Sequence, residues 1–175
     1  MQEIYLPDLP IYKGIFIRHG KEILFSGNRR HFYSYDLLIN KLEKQGAILG
    51  HHDEMDLSNL VASPGPKYFA FICKKSGYIL VMGQDSKKLL FDLKMNGSCN
   101  SVAFSRDERY LFSVGDEAEI YQWDLKTRKC VKKTADEGGF HTVKLAISPN
   151  GLLLATASKM GTVNLFNVNP YTQLV

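Results

Sequence analysis

Two stretches of the chain follow one plan. Val102-Ala103-Phe104-Ser105-Arg106-Asp107-Glu108-Arg109-Tyr110-Leu111-Phe112 and Leu145-Ala146-Ile147-Ser148-Pro149-Asn150-Gly151-Leu152-Leu153-Leu154-Ala155 both run from an apolar strand through a serine-led turn into a second apolar strand. Ser105 and Ser148 stand 43 residues apart. Ser63 precedes Ser105 by 42 residues, and Arg18 holds the corresponding place 45 residues before Ser63. A second anchor keeps the same step. Tyr35-Asp36, Trp123-Asp124 and Phe166-Asn167 close the third strand of their units, while the second unit has Met82-Gly83 there, a decayed copy. A period of about 40–45 residues with four strands per unit is the mark of propeller blades. The expected fold is therefore all-β, a β-propeller with four blades at roughly 11–46, 56–94, 97–134 and 141–170.

The residues between the anchors support this. Pro149-Asn150-Gly151 is turn chemistry, since proline presets φ and glycine accepts positive φ. Leu152 to Ala157 is apolar on both alternating faces, and Thr162 to Val168 is rich in β-branched and aromatic residues. Strands apolar on both faces need cover on both, which stacked blades supply and a sandwich with one wet face does not. Leu37 to Lys44 carries a spacing compatible with a short helix, but the repeat register makes it a turn and an outer strand. Lys129-Cys130-Val131-Lys132 reads as an exposed outer strand, whose lysines discourage edge pairing.

Propellers close with about 4–8 blades. Four units fill this chain, so it is expected to be part of a ring of seven or more, with flanking blades outside it. Open blade faces would then make residues 1–175 poorly soluble alone. The opening residues show no basic segment followed by an apolar one, so no secretory leader is expected. No apolar run approaches the roughly 20 residues of a membrane helix, and no membrane partner is expected. Cys73, Cys99 and Cys130 are odd in number and widely spaced, which suits a reducing compartment better than a disulfide framework. A net charge of +4 permits nucleic-acid contact without demanding it.

Candidate chemistry is sparse. Ser63, Ser105 and Ser148 recur at one repeat position, which points to turn capping, and no nucleophile elbow surrounds them. His51-His52-Asp53-Glu54 has metal-ligand residue types, but four adjacent residues cannot all face one ion and no second cluster answers them. No phosphate loop, paired catalytic carboxylates or Cys–His pair is visible. No enzymatic activity, cofactor, metal or small-molecule substrate is expected. The basic residues form two groups. Arg29, Arg30 and His31, then Lys74 and Lys75, then Lys159 fall in equivalent turns between second and third strands, on one expected rim, interrupted by Asp116 and Glu117. Lys126, Arg128 and Lys129, with Lys132 and Lys133, lie on an outer turn and edge strand. Both groups are candidates for contact with partner proteins or RNA phosphates; ordinary solvated turns and edge protection are the alternatives.

Trp123-Asp124 is the literal dipeptide of the WD repeat, which the units resemble. Trp123, Asp124 and Asp36 are then blade-structural residues, as are Ser63, Ser105 and Ser148. His141 sits before the fourth unit's first strand, where a WD-repeat histidine can bond an inner-turn aspartate. The fourth unit's own turn, Lys159-Met160-Gly161, has no aspartate, so its Asp–His–Ser–Trp network is expected to be incomplete. Several segments are more specific: Ile4 to Tyr12, Leu93-Lys94-Met95-Asn96-Gly97, Trp123 to Val131, Asp136-Glu137-Gly138 and Gly161 to Phe166. Propeller geometry does not by itself require the Lys-Met-Asn-Gly linker or the Asp-Glu-Gly. In order and over nearly the whole chain, these segments resemble WD-repeat family eighteen of the U3 small nucleolar RNA-associated proteins. The resemblance implies a non-catalytic scaffold of the small-subunit processome, in the nucleolus of the nucleus, supporting pre-rRNA processing and 40S subunit biogenesis. It implies other WD-repeat proteins as partners, with contact to pre-rRNA or the U3 RNA. The alternative is a WD-repeat adaptor in another complex, such as a substrate receptor or peptide reader, because fold does not fix function.

Overall fold

The computed structural model describes residues 3–6, 11–27, 31–46, 59–168 and 171–173. They form sixteen strands in four antiparallel sheets. The first sheet holds β1 (Ile11–Ile17), β2 (Glu22–Gly27), β3 (Phe32–Asp36) and β4 (Lys41–Lys44). The second holds β5 (Leu60–Ala62), β6 (Tyr68–Cys73), β7 (Tyr78–Gly83) and β8 (Leu89–Lys94). The third holds β9 (Ser101–Phe104), β10 (Tyr110–Val114), β11 (Glu119–Asp124) and β12 (Lys129–Ala135). The fourth holds β13 (Thr142–Ile147), β14 (Leu153–Ser158), β15 (Val163–Val168) and β16 (Tyr171–Gln173). Each is a meander of sequential neighbours. Among the described residues the only helical piece is a 3-10 turn at Arg18–Gly20. Residues 37–40 form a turn leading into β4, as the repeat register requires.

The serine positions explain the recurrence. Ser63 and Ser105 accept a backbone N–H on the side-chain oxygen from the residue five ahead, Tyr68 at 3.1 Å and Tyr110 at 2.9 Å. Ser148 does the same for Leu153 at 2.9 Å. In each case the serine N–H also donates to that residue's carbonyl, at 2.8–2.9 Å. One small hydroxyl thus closes the turn between first and second strands, a local bond that competes well at turns. The acidic anchors cap the next turn on the same end. Asp36 accepts the N–H groups of Leu38 and Ile39, and Asp124 those of Lys126 and Thr127.

The innermost strands β1, β5, β9 and β13 lie next to one another in that order, so the sheets stack as consecutive blades. Three cores fill the seams. Ile17, Leu24 and Phe32 of the first blade meet Phe69, Phe71, Leu80 and Met82 of the second. Ala70, Ile72, Ile79 and Val81 leave the other face of that blade to meet Leu111, Tyr121 and Trp123. Phe112, Val114 and Ile120 then meet Leu145, Leu154 and Phe166. Alternate residues of β6, β7, β10 and β11 therefore serve different cores, which is the period-2 geometry of a strand buried on both sides.

Candidate functional site

Meander topology sends the first-to-second and third-to-fourth strand turns to one rim and the second-to-third turns to the other. The basic candidates divide accordingly. Lys74 and Lys75 follow β6, and Lys159 follows β14; all three are exposed on one rim. His31, half-buried before β3, belongs to the same rim, with its ring edge-on to Tyr33 at 5.6 Å. Arg29 and Arg30 lie outside the described residues, as do His51 to Glu54. Lys126, Arg128 and Lys129 are exposed on the opposite rim. Arg128 has a packing role there: it takes the left-handed turn position at φ 60° and lays its guanidinium 5.1 Å over the Phe91 ring of the preceding blade.

The first rim is a mosaic rather than a uniformly basic surface. Between the lysine turns stand the exposed Asp116 and Glu117. The Asn100 amide donates to Asp116 Oδ1 at 2.9 Å, and the Ser98 hydroxyl and His141 ring lie beside it. The Asn100 bond, helped by Ser98 and His141, holds the Asp116 carboxyl below its ordinary range, against the opposing pull of partial burial. His141 reaches Asp116 across the blade boundary, its Nδ1 at 3.3 Å. In the third blade Trp123 Nε1–H donates to Ser113 Oγ at 2.8 Å, and Asn100 stands where a histidine would meet the turn aspartate.

The fourth blade adds to one reading of the sequence. Its network is not merely incomplete; it is rebuilt around Asp136, which is 1% exposed. The Asp136 carboxylate accepts from the Thr142 hydroxyl at 2.8 Å, the Thr156 hydroxyl at 2.9 Å and the Asn164 amide at 2.7 Å. The acid comes from the loop before the first strand, not from the inner turn. Asp136-Glu137-Gly138 is thus a requirement of this particular blade. The available signal was an acid in that loop together with Thr156 and Asn164 on strand positions that face a core.

The seams between blades carry polar plugs that sequence reasoning missed, and each differs. At the first seam, Glu22 and Lys87 form an ion pair at 2.9 Å with side chains 7% and 10% exposed. Gln84, 1% exposed, accepts the Arg18 N–H at 2.8 Å and donates to the Gly65 and Tyr68 carbonyls at 2.9 Å. The groove above this plug, about 300 Å³, is lined by both signs of charge. At the second seam, Glu108 reaches back from the third blade to accept the Ser63 hydroxyl and the Lys67 N–H, the latter at 3.1 Å. Gly65 permits this approach, since a Cβ there would lie 2.6 Å from Glu108 Oε2. At the third seam the residue in the place of Glu108 is Gly151, and no carboxylate reaches back from that position.

Nucleophilic chemistry finds little support among these groups. The recurrent serines are committed to their turns. Cys73 and Cys99 are buried, and burial pushes the Cys99 thiol far above its ordinary range. Among the described residues no group of three or more His, Cys, Asp or Glu side chains is placed to hold a metal ion.

Comparison with known proteins follows the same lines. Residues 87–124 match the WD domain, G-beta repeat family; the match takes the outer strand of the second blade with three strands of the third. The chain is similar to the U3 small nucleolar RNA-associated protein 18 homolog of Arabidopsis thaliana, 39% identical over 171 residues, covering 98% of this chain and 31% of the relative. It is similar to the Homo sapiens protein of the same name at 32% identity, covering 95% of this chain and 30% of the relative. The chain thus spans about 30% of the length of these curated relatives. Among solved structures, the RRP9 WD40 repeats superpose with a TM-score of 0.79 at 18% identity, covering 98% of this chain and 52% of that one. That likeness establishes the fold.

Proposed function

We infer that this chain, a WD-repeat β-propeller protein related over nearly its whole length to the U3 small nucleolar RNA-associated proteins 18, works as a non-catalytic scaffold in small-subunit ribosome biogenesis. The observation that carries this is the 39% identity over 98% of the chain with a relative named for association with U3 small nucleolar RNA. The architecture suits the role. Stacked blades with packed seams hold two rims of turns at fixed separation, so several partners can be engaged at once and gain from multivalency. The mosaic rim, with Lys74, Lys75 and Lys159 set among Asp116, Glu117 and His141, suits protein partners with complementary charges, including other WD-repeat proteins. The more uniformly basic turn of Lys126 and Lys129 suits phosphate contact with pre-rRNA or the U3 RNA. Such a protein resides in the nucleolus.

Depletion in cells followed by analysis of precursor rRNA tests the reading. Uncleaved early small-subunit precursors should accumulate, and U3 RNA should co-purify with the tagged protein. Normal precursor levels, with ligase or chromatin subunits recovered instead, would favour an adaptor in another complex, a role the fold also accommodates.

A further inference from the structure

The innermost strands β1, β5, β9 and β13 share the propeller axis, and two of the four are built differently. β1 breaks register with β2 between Ile11 and Lys13, and β13 breaks register with β14 between Thr142 and Lys144. β5 and β9 pair with their neighbours without a shift. A bulge of this kind re-aims the side chain beside it. In both strands the residue at which pairing resumes is a lysine, third in its strand. Lys13 precedes the turn anchor Arg18 by five residues, and Lys144 precedes Ser148 by four. Asn59 and Ser101 hold that level in the two blades between, each four residues before its own anchor serine. A lysine, an asparagine, a serine and a lysine therefore stand in order around the axis. Lys13 Nζ donates to Asn59 Oδ1 at 3.2 Å. The Ser101 hydroxyl accepts the Leu145 N–H at 3.2 Å, and among the described residues neither its O–H nor the Asn59 amide N–H has an acceptor. Burial, together with the nearby Lys144 ammonium, holds Lys13 below the ordinary lysine range. Among the described residues no carboxylate pairs with either lysine. The level is thus a ring of donors with positive charge at both ends and no counter-charge.

We propose that this axial ring binds a small polyphosphorylated ligand, one phosphate taken by Lys13 and the Asn59 amide and a second by Lys144 and the Ser101 hydroxyl. A phosphate group presents three strong acceptor oxygens, enough to meet an ammonium and a neutral donor together. Its charge relieves the opposition of the two lysines. A compact ligand suits the ring better than an RNA strand does. The donors converge across one axis instead of following a track, and none of the four residues at this level is aromatic, so a base finds nothing to stack on. The proposal stands apart from the ribosome-biogenesis reading, because it rests on the inner strands alone.

The test is isothermal titration calorimetry of the full chain, at low micromolar concentration and low ionic strength, with sodium tripolyphosphate. Saturable binding is expected, weakened about tenfold or more in the Lys13→Met/Lys144→Met double variant, as loss of charge-assisted contacts implies. Lys144→Met alone, at an exposed position, should weaken it about fivefold or more, which keeps the test decisive if the double variant unfolds. The Lys21→Met/Lys88→Met variant, altered on exposed turns away from the axis, should bind within about twofold of the parent. Thermal melts followed by Trp123 emission give a second readout. Tripolyphosphate at about a hundredfold over its Kd should raise the parent's Tm by about 5–10 °C and leave that of Lys144→Met nearly unchanged. Absence of saturable binding, undiminished binding in Lys144→Met, equal affinity for citrate, or tighter binding of an oligouridylate with the same number of phosphates would each overturn the proposal.

Discussion

At the scale of single residues, position in the repeat decides how much chemistry can be read directly. Ser63, Ser105, Ser148 and Trp123-Asp124 were legible because one geometric demand recurs at one spacing, and the structure gives each the bond that spacing implies. Asp136 was not, because its partners Thr142, Thr156 and Asn164 depart from the usual residue types and converge from strands up to 28 residues away. Replacing it with alanine removes the acceptor that ties three strands together: the Thr156 hydroxyl loses its partner, while Thr142 and Asn164 keep only the Gly139 and Glu137 carbonyls. Asp136→Ala should therefore destabilise the chain by about 3 kcal/mol, read from urea unfolding followed by Trp123 emission, with Asp136→Asn milder. Ser113→Ala, which removes the acceptor of the Trp123 indole, should cost about 1 kcal/mol in the same assay. Acid sensitivity also belongs here. The Asp116 carboxyl is held below its ordinary range, so the fold favours its ionised form. That contribution is present above the unfolded-state value of about 3.9 and is lost as pH falls through the lower folded value. Thermal melts from about pH 6 to pH 3 should show stability dropping at the acid end, and Asp116→Asn should flatten that drop.

At the scale of elements, strands were easier to anticipate than the contacts between them. Period-2 burial on both faces marks β6, β7, β10 and β11 as central without reference to any partner. The seam plugs have no such signature. Glu22 and Lys87 are 65 residues apart, and neither belongs to a recognisable motif. Their pairing depends on blade stacking that no local window contains. Lys87→Ala should cost about 2 kcal/mol, less than a fully unpaired buried charge, because Arg18 Nη1 stays 3.6 Å from the buried Glu22 carboxylate. The Glu22→Gln/Lys87→Met double variant should recover most of that loss, and a double-mutant cycle by chemical denaturation checks it. Phe166, fully buried in the third seam, anchors the fourth blade. Phe166→Ala should cost about 3–5 kcal/mol, again from urea midpoints.

At the scale of the whole molecule, the blades cover one another on inner faces and leave two outer ones. Tyr12 and Phe16 of β1 point away from the first seam at 53% and 62% exposure, and Val163 and Leu165 of β15 point away from the third at 63% and 36%. Contiguous apolar surface of this kind promotes association. At tens of micromolar, within the range where exposed apolar surface drives aggregation, the chain should sediment as a mixture of species. Phe16→Glu/Val163→Glu should shift it toward monomer in sedimentation velocity. The three seams, the first closed by an ion pair, the second by a glutamate reaching back to a serine and a lysine, the third with a glycine in that glutamate's place, also bear on how the blades are put together. Tandem copies of one fold are prone to docking in the wrong order, but here each joint is keyed differently. A circularly rearranged gene that exchanged the second and fourth blades would set Glu22 against a module with no lysine to answer it, so blade order is written into the joints as well as into the connecting loops.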